Sequence, residues 1–281
     1  MKPKLTINAS YRASGTTSLY YTLWENNYGH GGGVKDNQYL MFLQSPHLIE
    51  SRRILHKNKK KFGEGMPRPW VLPDEIFLDH HFKQNELTLD NYINYYLGLW
   101  EDIKGNYESL LDFSNTQEPL SEKFMKSVKD KLLEYFDIKF VMILRDPVYR
   151  LWSHCNRLSI EGAGTPQTLM EKNYNDPYYS YCDQYMRYVK VWGEEKIKII
   201  INEDFYKGKT QSLSEFLNWN IKPSYKDVSH LSKIKDSEYN SWCNLDVETW
   251  KYSMHNMEWV YEEFEKMFGY IPDQWGRHSI L

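Results

Sequence analysis

A chain of 281 residues is long enough to bury a large core, and a net charge of -3 with a pI near 6.3 demands neither nucleic acid nor an anionic membrane as partner. Three widely spaced cysteines, Cys155, Cys182 and Cys243, cannot all pair and show no metal-ligand spacing, which suits a reducing cytoplasm. A mean hydropathy of -0.70, no apolar run near the roughly 18 residues of a membrane span and no secretion signal in MKPKLTINAS together predict a soluble, cytoplasmic protein.

Residues 5–10 read as a short strand, 11–15 as a turn of small residues, and 16–26 as a helix with Leu19 and Leu23 one turn apart. The glycine-rich stretch 28–35 is predicted to be a loop, and 38–56 a helix interrupted at Pro46. Residues 57–68 form a basic connection broken by Gly and Pro, expected to face solvent rather than bind a polyanion. An amphipathic helix is expected over 89–103, a strand over 109–113 and a helix over 121–136. The run KFVMIL, residues 139–144, is nearly continuous in apolar residues, as a strand buried on both faces requires.

Helices are then expected over 148–159 and 178–192, a strand over 197–201, and helices over 213–219 and 247–268. This alternation predicts an α/β fold, a P-loop-like sandwich whose central parallel sheet is flanked by helices on both faces, with ligands gathered where the strands end. No repeat or low-complexity linker divides the chain, so residues 1–281 are expected to form a single domain. Aromatic residues make up 16% of the chain, which predicts a core with polar tips or an aromatic cleft.

Two stretches carry chemistry. In Arg12-Ala13-Ser14-Gly15-Thr16-Thr17-Ser18, small residues between a strand and a helix let backbone N–H groups approach an anion, and the helix start adds positive potential. The hydroxyls of Ser14, Thr16, Thr17 and Ser18 add further donors. Alone, the turn reads equally well as a helix cap. It lacks the Gly-Lys-Ser/Thr of a Walker A loop, which speaks against an ordinary ATPase. In the second stretch, Arg145-Asp146-Pro147 follows the buried strand directly. Pro147 suits a first helical turn, and Ser153 lies nearly two turns further on, facing back toward the strand end. Arg145 offers a charged fork for phosphate and Ser153 a hydroxyl; the plainer alternative is an Arg145–Asp146 surface pair capping a helix.

Together the two stretches resemble the two signatures by which the sulfotransferase superfamily binds PAPS (3′-phosphoadenosine 5′-phosphosulfate), most closely in its heparan-type and bacterial branches. The RDPxxRxxS pattern matches at Arg145, Asp146, Pro147, Arg150 and Ser153, whereas the first signature has Ala13 where the family usually carries a basic residue. Lys35-Asp36-Asn37-Gln38-Tyr39-Leu40 is similar to the family's Lys-Glu-x-x-Phe-Phe segment, and Leu111-Asp112-Phe113-Ser114 to its Glu-Lys-Ser/Thr-Pro, with Phe113 in place of lysine. Ile199 to Phe205 resembles the late strand closed by Glu-Asp-Leu.

The resemblance implies a sulfotransferase that uses PAPS as co-substrate, releases adenosine 3′,5′-bisphosphate and needs no metal. By it, residues 12–18 hold the 5′-phosphosulfate while Arg145 and Ser153 hold the 3′-phosphate. Asp36 becomes the expected base for the acceptor's proton, Lys35 a charge stabiliser and Arg12 the substitute for the missing loop lysine. His80 and His81 are rival bases; for Lys233 and Lys235 the family analogy suggests a late loop over the 3′-phosphate, but they read more simply as surface lysines. The acceptor, a hydroxyl or amine on a carbohydrate or small molecule, would be chosen by the variable stretches 29–33, 57–70 and 162–175. His30, His47 and Asp79 fit no metal-ligand spacing. Two alternatives stay open: a P-loop-type nucleotide kinase, and a non-catalytic nucleotide-binding or scaffold protein of the same fold, which Ala13 and Phe113 would suit.

Overall fold

A computed structural model describes residues 2–32, 39–46, 87–114, 120–160, 162–223 and 245–276. Strands β1 (Lys4–Asn8), β2 (Gly29–His30), β3 (Ser109–Asp112), β4 (Asp137–Leu144) and β5 (Ile197–Ile201) form one sheet in the order β2-β3-β1-β4-β5. Every pairing is parallel, so all the strands end on the same edge. The chain passes from β1 out to β2 and back to β3 on one side, then to β4 and β5 on the other. The order reverses about β1, and in such sheets ligands bind beyond the strand ends at that reversal.

Both faces of the sheet are covered, as the apolar run in β4 predicts. Its side chains alternate: Phe140, Met142 and Leu144 enter one core, Val141 and Ile143 the other. The larger core is closed by α3 (Leu89–Ile103), α4 (Glu122–Tyr135), α5 (Pro147–Ile160), α7 (Tyr181–Trp192) and α11 (Glu258–Phe268), which supply Tyr92, Leu132, Leu151, Tyr188 and Phe264. The smaller is closed by α1 (Thr16–Glu25) and α9 (Gln211–Leu217) through Leu19, Leu23, Leu213 and Leu217. The shorter helices are α2 (Tyr39–Gln44), α6 (Pro166–Asn173), α8 (Asn202–Tyr206) and α10 (Val247–Asn256). Much of the aromatic surplus lies inside, with Tyr11, Tyr92, Tyr96, Tyr179 and Tyr181 almost wholly buried. Among the described residues no helix is long and apolar enough to cross a membrane.

Four expectations need correction. Gly29 and His30 are strand, not loop: they pair with Ser109 and Leu110, and a Cβ at Gly29 would run into the Leu111 side chain, so glycine admits the close approach. The stretch 162–175 contains α6, started by Thr165 capping the N–H of Thr168 and by Pro166 in the first turn. The helix expected from 178 begins at Tyr181, because Ser180 is its cap and Pro177–Tyr179 is a 3-10 turn. The last helix is two: the backbone at Met257, fully buried, leaves the helical region at φ -109 and separates α10 from α11.

Candidate functional site

The chain leaving β1 is pinned between its two neighbours. The Asn8 side chain accepts the N–H of Ser10 (3.1 Å) and donates to the carbonyl of Ser114 beyond β3 (3.1 Å). On the other flank the Ser10 hydroxyl accepts the N–H of Ile143 in β4 (2.7 Å), and Gln184 of α7 donates to the Ala9 carbonyl. Held at both sides, the loop then turns sharply, with Ala13 at φ 64 and Gly15 at φ 96. Gly15, which has no side chain to cap with, begins α1, and no acid stands in its first turn. The Ser14 hydroxyl is buried and has no hydrogen-bond partner among the described residues. An uncapped helix start beside an orphaned donor suits an anion, which would satisfy both at once.

Thr16 and Ser18 are also buried, but the Ser18 hydroxyl is shared with that of Tyr206. Thr17 is half-buried. A Cβ on Gly15 would collide with the Asn202 side chain, itself buried, and the left-handed backbone adds strain of about 1–3 kcal/mol. Gly15→Ala is therefore expected to lower stability by roughly 3 kcal/mol or more in urea denaturation. A variant unfolding at the wild-type midpoint would contradict this loop geometry.

At the end of β4 the second stretch departs from the surface-pair alternative. Asp146 is 1% exposed, and one of its oxygens accepts the N–H groups of Val148 (3.0 Å) and Tyr149 (3.2 Å), capping α5. Gly276 donates its N–H (2.8 Å) and Tyr261 its hydroxyl (3.1 Å) to the same carboxylate, whose pKa burial pushes up to about 6. Asp146 is thus a structural acid, and Arg145 is free of it. The Arg145 carbonyl accepts the Tyr181 hydroxyl, while the half-buried guanidinium lies over the Tyr149 ring at 5.9 Å. Ser153 is half-buried on α5.

The two stretches therefore leave the ends of adjacent parallel strands, β1 and β4. The turn Pro177–Tyr179 ties them together. The Arg12 N–H donates to the Tyr178 hydroxyl (3.4 Å), and the Tyr178 ring stacks on Tyr11 at 4.4 Å. Arg150, 0% exposed, sits 5.0 Å from both rings and donates to the carbonyls of Tyr178 (3.1 Å) and Tyr179 (3.4 Å). His154, beside Ser153, shares a hydrogen bond of 2.8 Å with the Tyr179 hydroxyl. His154 and these tyrosines belong to no recognisable motif in the sequence. Only the i, i+4 spacing of Arg150 and His154 hinted that they share one face of a helix.

Burial first, then the guanidinium groups of Arg150, Arg12 and Arg157, lower the His154 pKa to about 4. The unfolded chain takes that proton near pH 6.5, so the stability from a neutral His154 is present above 6.5 and lost as pH falls toward 4. Relative to wild type, His154→Gln is expected to gain about 3 kcal/mol between pH 7 and pH 4, measured by urea denaturation at both values. Parallel behaviour of the two proteins would contradict this environment.

Lys35 and Asp36 lie outside the described residues, as do His47, Asp79, His80, His81, Lys233 and Lys235. His30 is within β2 and accepts the Gly32 N–H at 3.0 Å. Among the described residues no group of three His, Cys, Asp or Glu side chains could hold a metal ion. Cys155 and Cys182 are buried and unpaired. Phe113 is fully buried and meets Tyr20 edge-on at 5.6 Å, while Asp112 accepts the hydroxyls of Tyr92 (2.8 Å) and Ser114 (2.6 Å). The position of the expected lysine is thus a core position.

No family model matches the sequence. No curated protein matches it significantly. Solved structures do. The sulfotransferase from Alicyclobacillus acidocaldarius superposes with a TM-score of 0.59 at 15% identity, over 99% of this chain and 100% of that one. The sulfotransferase domain from the curacin biosynthetic pathway gives 0.45 at 15% identity, over 79% and 76%. A sulfotransferase from Mycobacterium avium gives 0.43 at 12% identity, over 95% and 76%. The likeness to the first establishes a sulfotransferase-like fold for this chain.

Proposed function

We propose that the chain is a single-domain cytoplasmic sulfotransferase that moves the sulfuryl group of PAPS to a hydroxyl or amine of a carbohydrate or small-molecule acceptor. One observation carries this reading: an uncapped, hydroxyl-lined helix start and an arginine-bearing strand end emerge side by side from β1 and β4. A nucleotide phosphorylated at both ends suits two such grips.

The donor supplies an activated sulfuryl group, and its loose in-line transfer leaves the protein mainly positioning and charge stabilisation to provide. The start of α1, with Ser14, Thr16 and Thr17, receives the 5′ end through N–H and hydroxyl donors. Arg12 neutralises the bridging oxygen that keeps the electron pair of the breaking S–O bond. Arg145 and Ser153 hold the 3′-phosphate. Asp36 takes the proton of the acceptor as the new bond to sulfur forms, and Lys35 offsets charge on the sulfuryl oxygens. Acceptor choice falls to the loops beyond the strand ends.

Incubation with labelled PAPS across sugars, phenols, amines and peptides tests the reading directly. Label is expected to move to at least one acceptor without added metal. A chain that instead requires Mg²⁺ with ATP and ignores PAPS is a P-loop-type kinase, and one that binds the nucleotide but never transfers is the non-catalytic alternative.

A further inference from the structure

Arg150 is fully buried, yet among the described residues no carboxylate pairs with it, and its Nε has no hydrogen-bond partner. An isolated buried charge is costly because it loses its hydration. Here the cost is offset by four tyrosine rings, those of Tyr11, Tyr178, Tyr179 and Tyr181, at 5.0, 5.0, 4.8 and 5.1 Å from the guanidinium carbon. Two backbone carbonyls complete the cage.

Each ring is also tied to a segment that carries a residue of the proposed nucleotide site. Tyr11 immediately precedes Arg12. The Tyr178 hydroxyl accepts the Arg12 N–H. The Tyr181 hydroxyl bonds the Arg145 carbonyl. The Tyr179 hydroxyl bonds His154, next to Ser153. Arg150 itself lies on α5 one turn before Ser153. A guanidinium is planar and stacks on aromatic faces, so it can fix several rings at once where a point charge or an apolar chain would not.

We propose that Arg150 is a positioning residue that locks the loop carrying Arg12 and the helix carrying Ser153 into one geometry. This rests on the nucleotide reading above. Arg150 acts through the tyrosines and touches no ligand, and so differs from Arg145. Its loss frees Tyr11 and Tyr178 to turn, which displaces Arg12, and misplacements near 1 Å cost about 10²-fold in function.

A double-mutant cycle read by calorimetry with adenosine 3′,5′-bisphosphate tests this. Arg150→Met and Tyr11→Leu are each expected to weaken binding about tenfold or more, and the double variant no further than the worse single one, because both break one device. Tyr11→Phe, which keeps the ring and loses only the hydroxyl accepting from Arg187, is expected to bind within about twofold of wild type. Circular dichroism verifies that each variant is folded. Should Arg150→Met fail to fold, the contrast of Tyr11→Leu with Tyr11→Phe still decides. Wild-type binding with folded single variants unimpaired, or losses that add, overturns the positioning role alone. A wild-type chain that never binds the bisphosphate overturns the nucleotide reading and this proposal with it.

Discussion

Arg145→Ala is expected to weaken adenosine 3′,5′-bisphosphate binding by about 10²-fold or more while leaving the fold intact. The fold survives because the bond that the Arg145 carbonyl accepts from the Tyr181 hydroxyl is made by the backbone and remains in alanine. The binding loss follows from removing a forked, charge-assisted pair with phosphate, about 3 kcal/mol, or roughly two decades in Kd. Arg145→Lys keeps a point charge without the fork, so an intermediate loss is expected. Specificity of the effect is checked with adenosine 5′-phosphate, which lacks the 3′-phosphate and is expected to bind wild type and Arg145→Ala alike. Equal losses for both nucleotides in isothermal titration would show a general disturbance rather than a lost phosphate contact.

Asp36→Ala is expected to reduce sulfuryl transfer by about 10²–10⁴-fold, the usual contribution of a positioned base, with bisphosphate affinity kept. The split between lost turnover and retained donor binding identifies a proton acceptor rather than a scaffold residue. Asp36→Asn keeps the size and removes the basicity, and a similar fall is expected. His80→Ala and His81→Ala are expected to retain near-wild-type rates. Initial rates with labelled PAPS at saturating acceptor measure all four. A collapse confined to a histidine variant would move the base to that residue.

Local signals in the sequence were strong wherever one segment faces one environment. The apolar run of β4 announced a strand covered on both faces, and the 3.6-residue pattern of Leu89–Ile103 announced α3 at the bounds the structure has. The strand-loop-helix of residues 4–25 and the Arg145 to Ser153 helix start were equally legible. Gly29–His30 was not, because its strand character comes from pairing with Ser109 and Leu110, some eighty positions away, rather than from its own composition.

The Arg150 cage is the sharper case. Its parts come from residues 11, 150 and 178–181, and no short window contains both the cation and the rings that surround it. Motif spacing marked Arg150, while the three-dimensional arrangement shows it buried among tyrosine rings and Arg145 half-buried. Asp146 shows the same limit from the other side: beside an arginine it reads as a surface pair, yet Tyr261 and Gly276 from the far end of the chain draw it into the core.

The most direct test is one titration series of the wild-type protein with adenosine 3′,5′-bisphosphate, adenosine 5′-phosphate and Mg²⁺-ATP. Two grips on opposite ends of one nucleotide predict metal-independent binding of the bisphosphate, with the 3′-phosphate worth about 10²-fold over the monophosphate. Tight binding of Mg²⁺-ATP together with indifference to the 3′-phosphate would contradict a site with two such grips.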